Sequence, residues 1–338
     1  MNRRSLVILL LTIVVLSAIV IANRESPDGE TVAVLPGLEN VLNDVTTLTI
    51  RTAGDRAVTT LRRGAERWSV AERGDYPANV GKIRQNLIAL AKATVVEQKT
   101  ADPALYPRLG VEDIANEDAS GLEFVIDSPD ETFRIIIGRT GIRGDHAYAR
   151  IPGSDGSLLI AAKLELGEEP AEWLDRAIID IPSSEIIRVT TTHPDGEIVG
   201  IRAAEAGGFE PVDVPDDPET ADTVLAGSIG AALADLRLVD VSTAGVDRDL
   251  EPTVTRFETR DGLAITTRVF TDGDERLVGF EFTADAEPDA GAAADAAAAT
   301  SGRATELQAR FGGWLFVLAD YKTDLLTHRR ADLFELSE

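Results

Sequence analysis

The sequence predicts an α+β fold in which two similar units, each an antiparallel sheet with a helix, follow one another after one N-terminal transmembrane helix. Three observations predict this arrangement. Short segments of alternating apolar residues, separated by Gly, Pro and Asp turns, are typical of β-hairpins. One amphipathic helical stripe interrupts each series of hairpins, and the whole order of elements occurs twice. A length of 338 residues also fits roughly two domains.

The N-terminus carries the transmembrane prediction. Residues 6–22 form an apolar run that only Thr12 and Ser17 interrupt. As a helix this run would be about 25 Å long, close to the lower limit for crossing a bilayer core. We therefore predict an anchor at residues 1–24, and its apolar members are Leu6, Val7, Ile8, Leu9, Leu10, Leu11, Ile13, Val14, Val15, Leu16, Ile19, Val20 and Ile21.

Two interpretations of this segment place the body outside the cytoplasm. Arg3 and Arg4 precede the run, and by the positive-inside rule they stay cytoplasmic while the chain crosses. The alternative is a signal peptide cleaved after residues 20–22. Residues 1–27 contribute +2 to the formal net charge of −25 and the rest contributes −27, which the anionic inner leaflet would repel. We expect a single-pass protein of the bacterial inner membrane whose C-terminal body lies in the periplasm.

The first α+β unit is predicted at residues 46–182, after a polar tether at residues 25–45 that contains two Pro and two Gly. Alternation predicts three hairpins and a short strand at Trp68-Ser69-Val70; the hairpins lie at residues 47–62, 122–137 and 147–161. Asn79 is placed to cap a helix. The predicted stripe of that helix is Val80, Ile83, Leu87, Leu90 and Thr94.

The second unit, predicted at residues 183–338, repeats this order. A hairpin, a short strand with Phe209, a helix and further strands follow in sequence. Ile187 lies 139 residues after Leu48, and Val224 lies 144 residues after Val80. These similar offsets favour internal duplication over two unrelated α+β stretches. The predicted helix stripe is Leu225, Ile229, Leu233 and Leu236, and the segments 205–222 and 284–302 are predicted to be flexible acidic and Ala-rich loops.

The composition argues against several classes of function. The chain contains no Cys and three His, so disulfides, thiolate metal sites and cysteine nucleophiles are excluded and a histidine-rich metal site is improbable. A nucleic-acid binder needs a basic face, whereas the sequence pI is about 4.5. We expect no nucleic-acid partner.

Each candidate for chemistry has a structural interpretation that fits the sequence better. Ala226-Gly227-Ser228-Ile229-Gly230 resembles a nucleophile elbow, but no strand precedes it. A general acid and base pair of carboxylates is not selected by any pattern. The other candidates are a glycine-rich loop (Gly138, Gly141, Gly144), an acidic Ca²⁺ cluster (Asp213, Asp216, Asp217, Glu219) and His146 beside Asp145. We predict no catalytic residue, no cofactor and no metal.

A set of aromatic, Gly and Pro positions carries a family resemblance. Trp68-Ser69-Val70, Tyr76-Pro77-Ala78, Leu109-Gly110-Val111, Ile136-Ile137-Gly138 and Tyr148-Ala149-Arg150 occur in this order. Together they resemble the bacterial envelope family known as domain of unknown function 4340, most clearly over residues 45–190. Val111 stands where Leu often follows the Gly. The positions expected to be structural are Trp68, Tyr76, Pro77, Leu109, Gly110, Gly138, Tyr148 and Arg150.

The resemblance implies a membrane-anchored protein encoded beside the permease and ATP-binding subunits of a gliding-motility-type ABC transporter. We therefore expect a binding or scaffold protein, not an enzyme, whose partners are the membrane, those subunits or another envelope protein. One alternative is an envelope hydrolase that cleaves glycan or peptide with carboxylates. The other is a secreted Ca²⁺-binding adhesion module.

Overall fold

The computed structural model describes residues 32–142, 144–212, 221–245, 250–285 and 294–334. The predicted anchor at residues 1–24 lies outside these ranges. So does the acidic cluster between residues 213 and 219. No helix in the described ranges is both long and apolar enough to cross a membrane.

The fold is α+β, with two antiparallel sheets of nine strands each. The first sheet contains β1 (Thr47–Thr52), β2 (Arg56–Arg63), β3 (Trp68–Val70), β4 (Tyr76–Pro77), β5 (Thr94–Gln98), β6 (Leu122–Asp127), β7 (Thr132–Thr140), β8 (His146–Arg150) and β9 (Ser157–Ala161). The second contains β10 (Ala177–Ile179), β11 (Ile186–Thr192), β12 (Ile198–Ala203), β13 (Phe209–Pro211), β14 (Leu236–Ser242), β15 (Thr253–Thr259), β16 (Ala264–Asp272), β17 (Glu275–Thr283) and β18 (Leu315–Leu318).

Strand order shows the internal duplication. The first sheet has the order β4-β3-β2-β1-β6-β7-β8-β9-β5, and the second, read from its opposite edge, has β13-β12-β11-β15-β16-β17-β18-β14-β10. Eight consecutive strands therefore correspond one to one. Only β4 and β10 are additions, each at one edge. The prediction of two similar units in tandem is confirmed, although β10 falls within the range predicted for the first unit.

The described helices are short apart from two. They are α1 (Leu38–Val41), α2 (Val80–Ala91), α3 (Tyr106–Leu109), α4 (Thr223–Gly230), α5 (Ala294–Phe311), α6 (Asp320–Leu326) and α7 (Arg330–Leu333). Helix α2 begins where predicted, because the Lys82 amide N–H donates to Asn79 Oδ1 at 3.0 Å. Asp222 caps α4 in the same way.

Both predicted helix stripes are too long. Helix α2 ends at Ala91 and Thr94 begins β5, while Val80 stays 41% exposed. Helix α4 ends at Gly230, and Leu236 begins β14. In both cases a residue of the next strand falls by chance on the helical spacing, so periodicity alone extends the helix.

Two segments predicted to lack regular structure are partly ordered. The predicted Ala-rich loop at 284–302 overlaps α5, which begins at Ala294, and in its described part that prediction is wrong. The buried side chains of Thr300 and Ala304 hold the helix on the body. Within the other loop, 205–222, residues 209–211 form β13, and residues 213–220 lie outside the described ranges.

The predicted tether reaches the body earlier than expected. From residue 33 the chain is docked on the first unit, since Val34 and Leu38 are buried and the Val34 amide donates to the Ala93 carbonyl oxygen at 3.0 Å. Polar composition suggested a free segment up to residue 45. The apolar residues between 32 and 38 bind it to the core instead.

One hydrophobic core extends through both units. It includes Leu48 and Phe124 of the first sheet and Phe257 and Phe316 of the second. A smaller cluster of Tyr106, Val111, Ile114 and Ile136 lies apart from it. Because Ile135 and Ile137 belong to the large core and Ile136 to the small one, the two clusters occupy opposite faces of the first sheet.

Candidate functional site

The family-motif residues Leu109, Gly110 and Gly138 form one backbone contact. Gly110 ends α3 with a φ of 70°, a conformation that favours glycine. A Cβ on Gly138 of β7 would lie 2.2 Å from the Leu109 carbonyl oxygen and 2.6 Å from that of Gly110. These glycines let the turn after α3 lie directly on the sheet, so their role is structural.

Arg150 holds the same segment from β8. Its side chain is buried, Nε donates to the Val111 carbonyl oxygen at 2.8 Å, and its guanidinium lies 5.0 Å from the centre of the Tyr106 ring. Tyr148 packs against the same small cluster. Arg150 thus satisfies a backbone acceptor that would otherwise be buried without a partner.

Tyr76 and Pro77 form β4 at the seam between the two units. Tyr76 is 2% exposed, and its ring meets Trp314 and Phe316 edge-on with centroids 5.0 Å and 5.9 Å apart. Burial raises the pKa of the Tyr76 hydroxyl. The seam therefore joins the units through an aromatic cluster of the kind found in protein cores.

An ion pair closes the seam beside these rings. Arg73 donates to both carboxylate oxygens of Asp240, from Nε at 2.6 Å and from Nη2 at 2.8 Å. The hydrogen bond to Asp240 raises the pKa of the Arg73 guanidinium. Bidentate geometry fixes orientation as well as distance, so the two units are held in one relative position.

A groove on the first unit is the strongest candidate for binding. We call it the Trp68 groove. It has a volume of about 230 Å³ and lies between α2, β3 and the residues after α1. Val80 and Ile88 of α2 are 41% and 38% exposed, although both are apolar. The residues that line it are Leu42, Asn43, Arg63, Trp68, Val80, Ile83, Arg84, Leu87 and Ile88.

Two arginines give the groove a local positive charge in a strongly acidic chain. Arg63 donates through Nη1 to the Asn43 carbonyl oxygen, which places its guanidinium at one end. Arg84 makes no hydrogen bond or ion pair with any described residue. No carboxylate lines the groove in the part of the chain that the structure describes. The site thus combines apolar surface with unneutralised cationic donors.

The second unit closes the equivalent position. Trp68 pairs with Arg63 in the first sheet, and at the same place in the second sheet Phe209 pairs with Ala203. Phe209 is buried, and a Cβ on Gly230 of α4 would lie 2.2 Å from its ring. The ring therefore rests on the helix backbone. Comparing the two repeats position by position would have revealed Arg63, which no motif marks.

Lys82 lies on α2 beside the groove, but its side chain packs on the core of the first unit. Its Nζ lies 4.4 Å from the centre of the Trp173 ring and donates to the Glu172 carbonyl oxygen at 3.2 Å. Desolvation by burial lowers the pKa of the Lys82 ammonium. Trp173 is fully buried.

Two buried histidines lie together where the C-terminal helices meet the β11–β12 turn. His193 Nε2 lies 2.9 Å from the His328 carbonyl oxygen, and His328 Nδ1 lies 3.0 Å from that of Leu325. Since a carbonyl only accepts, both of these nitrogens carry hydrogen. His328 Nε2 is buried without a partner, and desolvation lowers the pKa of that imidazole.

The other candidates for chemistry occupy structural positions. Ser228 lies on α4 and its Oγ donates to the Val224 carbonyl oxygen at 3.0 Å, so it is not at a strand-to-helix turn. Gly141 lies in the β7–β8 connection, where its amide donates to the His146 carbonyl oxygen at 2.8 Å. His146 begins β8 and contacts Asp145 through Nδ1.

Four described carboxyl groups have a displaced pKa. It is lowered in Asp195, Glu197, Asp261 and Asp285, which is opposite to the raised pKa that the general acid of a hydrolase needs. At Asp261 desolvation opposes this direction, but hydrogen bonds from Thr259 and Leu263 outweigh it. No group of three metal-ligating side chains occurs within the described ranges.

Comparison with protein families identifies the family of this chain. The family model of a domain of unknown function (DUF4340) matches residues 68–253. The chain belongs to this family. The match covers more than half of the chain and runs from Trp68 into the second sheet. This DUF4340 protein therefore matches its family model well beyond residue 190, although the motif resemblance is clearest only up to that residue. Searches of curated proteins and of solved structures gave no match.

Proposed function

We propose that this DUF4340 protein is a membrane-anchored periplasmic docking protein, an accessory component of an ABC transporter system. The observation that supports a docking role is the Trp68 groove, an apolar and cationic concavity on an otherwise acidic body. The anchor at residues 1–24 keeps the body beside its partner, so a weak contact suffices at the resulting high local concentration. Localisation in the bacterial inner membrane rests on the sequence of that anchor.

The groove selects for a particular ligand chemistry. Trp68, Ile83 and Leu87 offer an apolar surface, and burying one aliphatic side chain there is worth about 1.5–3 kcal/mol. Arg84 is available for a charge-assisted hydrogen bond to a carboxylate. The expected occupant is a periplasmic segment of the permease subunit in which an apolar side chain is flanked by Asp or Glu.

The duplication supports this assignment. The first unit presents Trp68 and Arg63 where the second presents Phe209 and Ala203. At that position in the second unit, the buried Phe209 ring rests on the backbone of α4 at Gly230. The open site is therefore a property of the first unit rather than a requirement of the architecture.

Crosslinking in native membranes tests the proposal. A photoreactive amino acid at Val80, which lines the groove at the start of α2, should crosslink the full-length protein to the permease subunit. The matched position is Val224, which is likewise an exposed apolar residue near the start of the equivalent helix α4, and it should give no such product. Products identified by mass spectrometry that lack any transporter subunit would refute the transporter role.

Charge reversal provides the second measurement. Arg84→Glu should lower co-purification of the permease about tenfold, which corresponds to about 1.4 kcal/mol, without altering the thermal midpoint. Val80→Glu should act similarly and Val224→Glu should not. Equal losses with the Val80 and Val224 variants would show that the groove has no special role.

A further inference from the structure

We propose that the outer edge of the first sheet forms a second contact surface, which rests on the lipid bilayer. We call it the β5-edge patch, and it consists of Val96, Ile142, Tyr148 and Leu159. This inference rests on the proposed anchor. It concerns a face that the Trp68 groove does not include.

The patch concentrates apolar residues that a soluble domain normally covers. Val96 and Ile142 are 49% and 105% exposed. Val96, Ile142, Tyr148 and Leu159 line one concavity of about 330 Å³. Exposed apolar residues scattered singly need no explanation, whereas a contiguous patch indicates an interaction surface.

The position at which the chain reaches the body places this patch near the membrane. The Val95 amide donates to the Val32 carbonyl oxygen at 3.0 Å, and Ala33 pairs with Thr94 in antiparallel orientation. The chain therefore joins the body at strand β5, which carries Val96. Nine residues, 23–31, separate this point from the predicted membrane run, and they span at most roughly 30 Å. Val32, at which the chain joins β5, therefore lies no farther than this from the predicted membrane run.

Local charge favours the bilayer as the occupant. The rim carboxylate of Glu97 is paired with Lys99, so it adds little repulsion to the −27 carried by residues 28–338. Fully exposed Ile142, beside Tyr148, matches the apolar and aromatic side chains that lie in the headgroup region.

The absence of cysteine allows a direct test. A single Ile142→Cys variant of the full-length chain, labelled with an environment-sensitive fluorophore, is reconstituted into phosphatidylethanolamine and phosphatidylglycerol vesicles. Lipids with spin labels on the upper acyl chain should quench at least half of its emission. Ile198→Cys is the control, because Ile198 is also an exposed isoleucine but lies on β12 in the second unit, and it should be quenched little.

The possible outcomes separate this inference from the proposed function. Release of the chain from vesicles by alkaline carbonate would refute the anchor and the patch contact together. Retention of the chain with equally weak quenching at both positions would refute the patch contact alone. Protection of the fluorophore on the Ile142→Cys variant from aqueous iodide only in native membranes would assign the patch to a protein and would overturn the bilayer proposal.

Discussion

Removing the Tyr76 ring should destabilise the protein strongly, because this side chain joins the two units. Tyr76→Ala removes an aromatic ring that is only 2% exposed, and such truncations cost about 3–5 kcal/mol. Loss of the edge-on contacts with Trp314 and Phe316 adds roughly 0.5–1.5 kcal/mol each. The truncation cost already includes part of this aromatic contact energy, so we expect the free energy of unfolding to fall by about 4 kcal/mol. Total stabilities are about 5–15 kcal/mol.

Urea unfolding of the full-length chain in a mild detergent measures this loss. Trp314 lies against the substituted ring, so tryptophan fluorescence reports on the seam directly. Tyr321→Ala is the control, since Tyr321 is 64% exposed, and it should change stability by at most about 0.5 kcal/mol. A loss below about 1.5 kcal/mol for Tyr76→Ala would refute the conclusion that one core spans both units.

Three further predictions concern the packing glycine, the seam ion pair and the buried histidine. Gly138→Ala should lower the free energy of unfolding by about 1–3 kcal/mol, because the added Cβ clashes with the turn after α3. The control Gly156→Ala, whose Cβ would have its nearest contact at 3.9 Å, should change it by no more than about 1 kcal/mol. Equal effects of the two variants would contradict the backbone contact. A double-mutant cycle of Arg73→Ala and Asp240→Ala should give a coupling of about 1 kcal/mol, and zero coupling would show that the pair does not bind the units together. In the folded protein the pKa of His328 lies below its ordinary value of 6.5, so the unfolded chain takes up the proton first as the pH falls. The contribution of the neutral His328 to stability is therefore fully present above pH 6.5 and is lost as the pH drops toward the folded pKa. His328→Gln should flatten that loss in urea titrations at about pH 7.5 and 5.5, and an unchanged pH slope would exclude His328 as its cause.

The pH window of His328 is separate from that of the surrounding carboxylates. A hydrogen bond from Arg329 lowers the pKa of Asp195, and the Arg330 amide lowers that of Glu197. Stability from lowered carboxyl pKa values is lost only below their ordinary values of 3.8 and 4.5. The comparison between about pH 7.5 and 5.5 therefore reports on histidine and not on these acids.

Local sequence signals predicted the hairpins and failed where long-range pairing decides the structure. The β1–β2 hairpin follows from alternation around Ala53-Gly54-Asp55, and the structure has a turn at these residues. Strand β5 was missed because Thr94 pairs with Ala161, far along the chain. Helix α5 was missed because its Ala-rich composition resembles a linker, whereas Gln308 accepts a hydrogen bond from the Phe282 amide at 2.8 Å and ties the helix to β17.

The candidate site could be predicted only in part for a related reason. Trp68 stands out as an aromatic residue on a predicted strand and Tyr76 as one just before a predicted helix, and the sequence assigned both to structural roles. Their different roles depend on what the tertiary structure places against each ring: Trp314 and Phe316 against Tyr76, and a groove beside Trp68. Arg84 has no sequence signal, because an arginine on the exposed side of a helix is ordinary.

Duplication explains how one fold combines a rigid body with a specialised surface. The eight-strand order is kept in both units, so each repeat retains the packing that makes it fold. Differences are concentrated at the edges: β4 supplies Tyr76 to the seam, and the β2–β3 pair carries Trp68 beside Arg63 where its counterpart has Phe209 beside Ala203. The second unit thus packs against the first unit and supports it. The seam fixes the position of the second unit. The groove and the β5-edge patch both lie on the first unit, so they keep a constant geometry relative to the point where the chain joins the body.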